Sequence, residues 1–141
     1  MKPRTRARAL ALQVLYEVDI ANHPAADVFK SPLEETPLTD DLAEFARQII
    51  FGILPIAHEL DQLIAKYAPE WPLDQIAAID RNILRMALWE FAVFHETPIK
   101  VAINEAVELA KQFGSDSAPR FVDGVLGSLA EHLHEIKQII Q

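Results

Sequence analysis

Apolar residues recur at three- and four-residue steps through most of the chain, the spacing of one face of an α-helix. Ala7, Leu10, Ala11, Val14, Leu15 and Val18 predict a helix over 5–20, ended by Asn22 and Pro24. Residues 22–39 hold three prolines and scattered polar residues, so a loop is expected there, with one short helical turn around Ala25–Phe29. Thr39 or Asp40 opens the next helix on Leu42, Phe45, Ala46, Ile49, Ile50 and Ile53. A break is expected near Gly52–Pro55, because proline removes a backbone donor and clashes with the preceding turn. Leu60, Leu63, Ile64 and Tyr67 then resume the pattern. The Pro69–Pro72 stretch reads as a turn, with Trp71 as a lid on the core. From Leu73 to about Phe94 the chain is apolar almost all round, which predicts a central helix packed on several sides. Thr97 is expected to cap a helix that Pro98 opens, with Ile99, Ile103, Ala106, Ala110 and Phe113 on its apolar face and Gly114 as a left-handed stop. After a polar loop in which Ser115 or Ser117 can serve as a cap, a last helix begins at Phe121. Its stripe is Val122, Leu126, Leu129, Leu133, Ile136 and Ile140.

Composition narrows this to one mostly helical domain. The chain has 141 residues, enough to bury a core, and its lack of cysteine excludes disulfides and thiolate metal sites. Its first ten residues lack the apolar run of a signal peptide, and no stretch reaches the ~20 apolar residues of a membrane span, so a soluble, cytoplasmic protein is expected. Net charge is −8. Lys2, Arg4, Arg6 and Arg8 crowd the start, with no acid before Glu17. The thirteen bases less these four leave nine against 21 acids, a net −12. An acidic body carries a basic tip.

That tip is the first candidate for chemistry. Cations are unfavourable at a helix start, where the macrodipole prefers acids by about 0.3–1 kcal/mol apiece. The bland reading is a solvated terminus, and the sharper one is an arm that contacts phosphates. Gln13 and Tyr16 lie one turn apart, with Arg6 two turns before Gln13 on the same side. Guanidinium, amide and ring on one face suit holding phosphate, reading a base edge and stacking a base. Elsewhere, Asn104 in mid-helix hints at a tertiary hydrogen bond. Gly124 and Gly127 cost roughly 1 kcal/mol each against alanine, which a close approach by a neighbour would offset. Asp80, Arg81 and Arg85 read as a local ion-pair set or as a partner contact. His58-Glu59-Leu60-Asp61 lacks the second histidine of a zinc site, and His132 and His134, two apart on a helix, face different ways. With no phosphate loop, cysteine nucleophile or serine elbow, neither catalysis, a metal nor a cofactor is expected.

The last third and the start also resemble a known family. Pro98, Val101 through Lys111, Phe113, Gly114, Phe121, Val122 and Gly124 through Leu126 match the signature of the NusB family of bacterial antitermination factors, with Asp123 and Gly127 departing from its usual Asn and Asp. Ala11, Gln13, Leu15 and Tyr16 match its first helix, with Arg6 and Arg8 in its basic run. The resemblance implies an all-α fold of about seven helices in two small bundles, forming a single RNA-binding domain over 1–141. It implies binding of boxA-type RNA with the ribosomal protein NusE, within the RNA polymerase antitermination complex. Lys2, Arg4, Arg6 and Arg8 would contact phosphates, Gln13, Tyr16, Arg120 and Phe121 would complete the RNA site, and Asp80 would meet NusE. Asp123 would then place a negative charge near phosphates.

Two other readings stand beside this one. A similar domain is fused to some ribosomal RNA methyltransferases, but this chain ends at Gln141 with no cofactor-binding half, which leaves a trans-acting module. The other is a protein-only interaction domain whose basic tip binds an acidic partner. Oligomeric state is open on sequence.

Overall fold

The computed structural model describes residues 2–35 and 37–140, and the fold is all-α. The helices are α1 (Pro3–Ala21), α2 (Ala25–Glu35), α3 (Asp40–Ile53), α4 (Ala57–Tyr67), α5 (Ala78–Trp89), α6 (Ile99–Phe113), α7 (Ala118–Glu131) and α8 (Leu133–Ile140). They divide into two compact units, Met1–Pro55 and Ile56–Gln141, in line with the two small bundles expected.

In the first unit α1 packs on α2 and α3. Pro3 opens α1, where its missing N–H costs nothing, and the left-handed Asn22 (φ 57°) closes it by donating its N–H to the Val18 carbonyl. Helix α2 corrects the expected loop. Pro24 accepts from the N–H groups of Asp27 and Val28, both at 3.1 Å, and the helix then runs to Glu35 through Pro32. An internal proline costs about 3 kcal/mol, but Val28 and Phe29 are buried, and burying two such side chains returns about 1.5–3 kcal/mol each. Helix α3 starts with Asp40 and Asp41, the charges its macrodipole favours, and ends before Pro55 in a single 3-10 turn, Leu54–Ile56, as the break predicted.

The second unit surrounds α5, which packs on α4, α6 and α7. The helix expected from Leu73 is three pieces: a 3-10 turn (Leu73–Gln75), α5, and a π-helical turn (Glu90–Phe94). The π turn brings Trp89 and Phe94 into a stack, 4.9 Å between centroids, and ends at left-handed His95. Thr97 does not cap α6. Its hydroxyl donates instead to the buried Glu90 carboxylate at 2.9 Å, tying the start of α6 to the π turn, and Pro98 takes the cap position. Arg85 reaches beyond its own helix to Asp61 of α4 with a two-pronged pair at 2.8 and 2.6 Å, where a local set was expected. Asn104 is exposed and not a buried hydrogen-bonding position. Helix α7 begins at Ala118, one turn before the expected start, and the last stripe is interrupted at His132 before α8. Ser117 takes the cap position of α7 without a side-chain bond to its backbone.

Candidate nucleic-acid interface

The basic tip is the first two turns of a formed helix. The Lys2 carbonyl accepts the Arg6 N–H at 3.0 Å, so α1 is hydrogen-bonded from its first residues. No acid stands in that turn, and no side chain caps it. Its compensation comes from α3. The Arg4 guanidinium carbon lies 3.8 Å from the centroid of the Phe45 ring, and that of Arg8 lies 5.1 Å from the same centroid. Cation–π contacts contribute about 0.5–1 kcal/mol when exposed and about 2 when desolvated, enough to offset the macrodipole penalty.

The four cations are not equivalent. Lys2, Arg4 and Arg6 are exposed, whereas Arg8 is only 3% exposed and faces the core beside Thr5 and Ala7. Arg8 is therefore a guanidinium anchored in the packing, against the expectation that it projects to phosphates. Gln13 is exposed and Tyr16 half-buried, further along the same helix. Gln13 borders a cavity of about 600 Å³ whose rim also carries Glu17, Asp27 and Glu35. Those carboxylates repel phosphate, so cationic character on α1 stops within two turns of the tip.

The other candidates lie in the second unit. Arg120 is exposed and Phe121 half-buried in the first turn of α7, and the Phe121 N–H bonds the Ser117 carbonyl at 3.2 Å. Trp71, from the turn after α4, meets Phe121 edge-to-face, 6.4 Å between centroids at 73°. One turn along α7, a Cβ built on Gly124 would lie 3.3 Å from the Trp71 ring, so this glycine makes room for the indole. Gly127 differs, with open space where its Cβ would be. Asp123, between Phe121 and Gly124, is exposed.

Asp80 is buried at 7% exposure, and its Oδ1 has no hydrogen-bond partner. Burial raises its pKa above the usual carboxylate value. It lies under the α6–α7 turn, where a Cβ built on Gly114 would come within 3.0 Å of Oδ1 and 2.6 Å of the Ala118 Cβ. Gly114 is extended (φ −94°, ψ −178°), not left-handed as expected, so crowding and not handedness explains the glycine. Asp80 thus lies packed beneath the turn that leads to Arg120 and Phe121.

The sequence-predicted residues fall in two groups. Arg4, Arg6, Arg8, Gln13 and Tyr16 share α1 of the first unit, with Lys2 at its cap position, and Asp80, Arg120 and Phe121 belong to the second. Sequence reasoning missed Phe45 and Trp71 as neighbours of these residues. Phe45 reads as one more apolar position of α3, and a periodic stripe carries no sign that two guanidinium groups rest on it. Trp71 gave a fainter signal, an aromatic between two prolines ahead of a glycine-containing helix.

Comparison with known proteins gives a consistent result. Residues 5–131 match the NusB family. The chain is 48% identical over 130 residues to the transcription antitermination protein NusB of Dehalococcoides mccartyi, covering 92% of this chain and 91% of the relative. Its fold is similar to that of Thermotoga maritima NusB ("T. maritima NusB"), with a TM-score of 0.83, 32% identity and 92% of each chain covered. It is equally similar, at a TM-score of 0.83 and 26% identity over 93% of this chain and 98% of the other, to a chain in a crystal structure of the antitermination factors NusB and NusE in complex with dsRNA.

Proposed function

This chain belongs to the NusB family, and from that premise we propose that it is an RNA-binding transcription antitermination factor that binds boxA-type RNA together with NusE. It works in the cytoplasm within the RNA polymerase antitermination complex and supports ribosomal RNA transcription. Its two units serve as one RNA-binding domain. Among the described residues no helix is long and apolar enough to cross a membrane.

The observation that carries the reading is the ordered cationic start of α1. Lys2, Arg4 and Arg6 are exposed on a helix already hydrogen-bonded at its first turn, and Arg4 is held against Phe45. These three, with Arg120 of the second unit, contact phosphates, while Arg8 positions the arm from within. Gln13 and Tyr16 meet bases nearest the arm, and Phe121 offers a ring for stacking. The carboxylates around the neighbouring cavity bound the footprint along α1. Asp80, being buried, would act on the NusE contact through the segment packed over it, not as a free carboxylate. The acidic body discourages indiscriminate RNA binding and offers a surface to a basic protein.

The test is fluorescence anisotropy with a short boxA-like RNA and a scrambled control, with and without NusE, across salt. NusE should strengthen binding to the boxA-like RNA by linkage and sharpen the preference over the control. Equal, weak binding of both RNAs in every condition would overturn the antitermination reading.

A further inference from the structure

The F-V-D-G sequence at 121–124 places an aromatic residue and a glycine three apart, on one side of α7. That side is not bare. The Trp71 indole lies on it, edge-to-face with Phe121 (6.4 Å, 73°) and within 3.3 Å of where a Cβ on Gly124 would stand. A Cβ at 124 would press on the edge of the indole, so the ring would have to shift by a few tenths of an ångström, and with it the contact that limits the Phe121 ring. Trp71 is half-buried and enters from a turn bounded by Pro69 and Pro72, which restricts the backbone that carries it. Phe121 is itself half-buried beside exposed Arg120. The ring therefore has one supported edge and one accessible part, the setting a stacking side chain needs.

We infer that Trp71 is a positioning residue for RNA contact: seated on α7 by Gly124, its indole fixes the ring of Phe121 in the orientation presented to a base. The inference rests on the RNA-binding reading above and adds to it a residue outside both basic groups. It also gives Gly124 a physical reason. The glycine's cost in the helix is the condition for seating the indole.

The experiment compares Trp71→Leu, Trp71→Phe, Phe121→Leu and the Trp71→Leu/Phe121→Leu double variant in binding the boxA-like RNA in the presence of NusE. Stacking of one base on an aromatic side chain corresponds to roughly 5- to 150-fold in affinity. Trp71→Leu should weaken binding by about tenfold, within that range. The salt dependence should stay unchanged, because the phosphate contacts are untouched. Trp71→Phe should retain most of the affinity, and the double variant should be no weaker than Phe121→Leu alone. Wild-type affinity in a folded Trp71→Leu protein, or losses that multiply in the double variant, overturns the inference. Helical circular dichroism verifies folding. If Trp71→Leu does not fold, Gly124→Ala, which crowds the indole, decides by the same criterion and should weaken binding several-fold. If wild type binds neither RNA, the RNA reading fails by itself. The positioning claim is then judged without RNA: the Phe121 ring resonances should move in Trp71→Leu or Gly124→Ala, and unmoved resonances overturn it.

Discussion

Arg6 and Arg8 are two residues apart on one helix and carry the same group, yet one is exposed and the other is 3% exposed beside Phe45. Their substitutions should therefore separate. Arg6→Ala should weaken RNA binding while changing stability by less than about 0.5 kcal/mol, as surface changes do. Arg8→Ala should cost about 1–2 kcal/mol in denaturant unfolding, through lost packing and the lost cation–π contact. If Arg8→Ala leaves stability unchanged, the anchoring role fails. Asp80 supplies a pH signature. An unfolded aspartate titrates near 3.9, and burial raises the folded value. Above the folded value the carboxylate is charged in both states, and the folded protein bears its desolvation. As pH falls through the folded value, the native state takes up the proton first and the cost is relieved. Asp80→Asn should thus raise the melting temperature at pH 7, because the amide carries no charge to desolvate. That gain should shrink toward pH 4. A lower melting temperature at pH 7 would show that the carboxylate stabilises the α6–α7 turn.

Among the elements, three glycines near the helices α6 and α7 behave differently, and only space tells them apart. Gly114→Ala drives a Cβ to 2.6 Å from Ala118 and 2.9 Å from the Ala110 carbonyl, so a loss of about 1–3 kcal/mol is expected in thermal unfolding. Gly127→Ala meets nothing within 4 Å and should stabilise by about 0.5–1 kcal/mol through helix propensity. From sequence Gly127 looked like Gly124, a position of close approach, because local pattern cannot report on Trp71. Helices α3, α4 and α6 were legible, since their apolar spacing and flanking prolines agree. Helix α2 was not: three prolines outweigh local propensity, and burial of Val28 and Phe29 against the neighbouring helices reverses the balance. The π turn was hidden for a related reason, because the hydrogen bond from Thr97 to Glu90 spans two elements. In the candidate site the basic run was readable as charge, but which of its members faces outward was not. Arginine alone carries no sign of an aromatic partner on another helix.

At the scale of the molecule, a chain of net charge −8 is proposed to bind a polyanion. The salt dependence distinguishes a local cationic site from net charge. In the proposed reading Lys2, Arg4, Arg6 and Arg120 would make four phosphate contacts, each contributing about −0.7 on single-stranded RNA, so log affinity should fall against log salt with a slope near −3. Removing Arg6 should flatten the slope by about 0.7. A slope near zero would overturn the arm as a phosphate site. The acids do not cancel this slope, because it counts ions released where phosphate binds, and at about 8 Å screening in physiological salt remote carboxylates are barely felt.

Trp89, stacked on Phe94 and buried, and Trp71, half-buried against α7, are the two tryptophans, and both belong to the second unit. Intrinsic emission is therefore one-sided: it records the loosening of the second unit, whereas far-ultraviolet ellipticity records helices of both. A quencher in solution should reach the indole at 71 well before the one at 89. Superimposed emission and ellipticity curves would mark a single cooperative transition, and ellipticity lost ahead of emission would mark the first unit, which carries no tryptophan, as the first to melt.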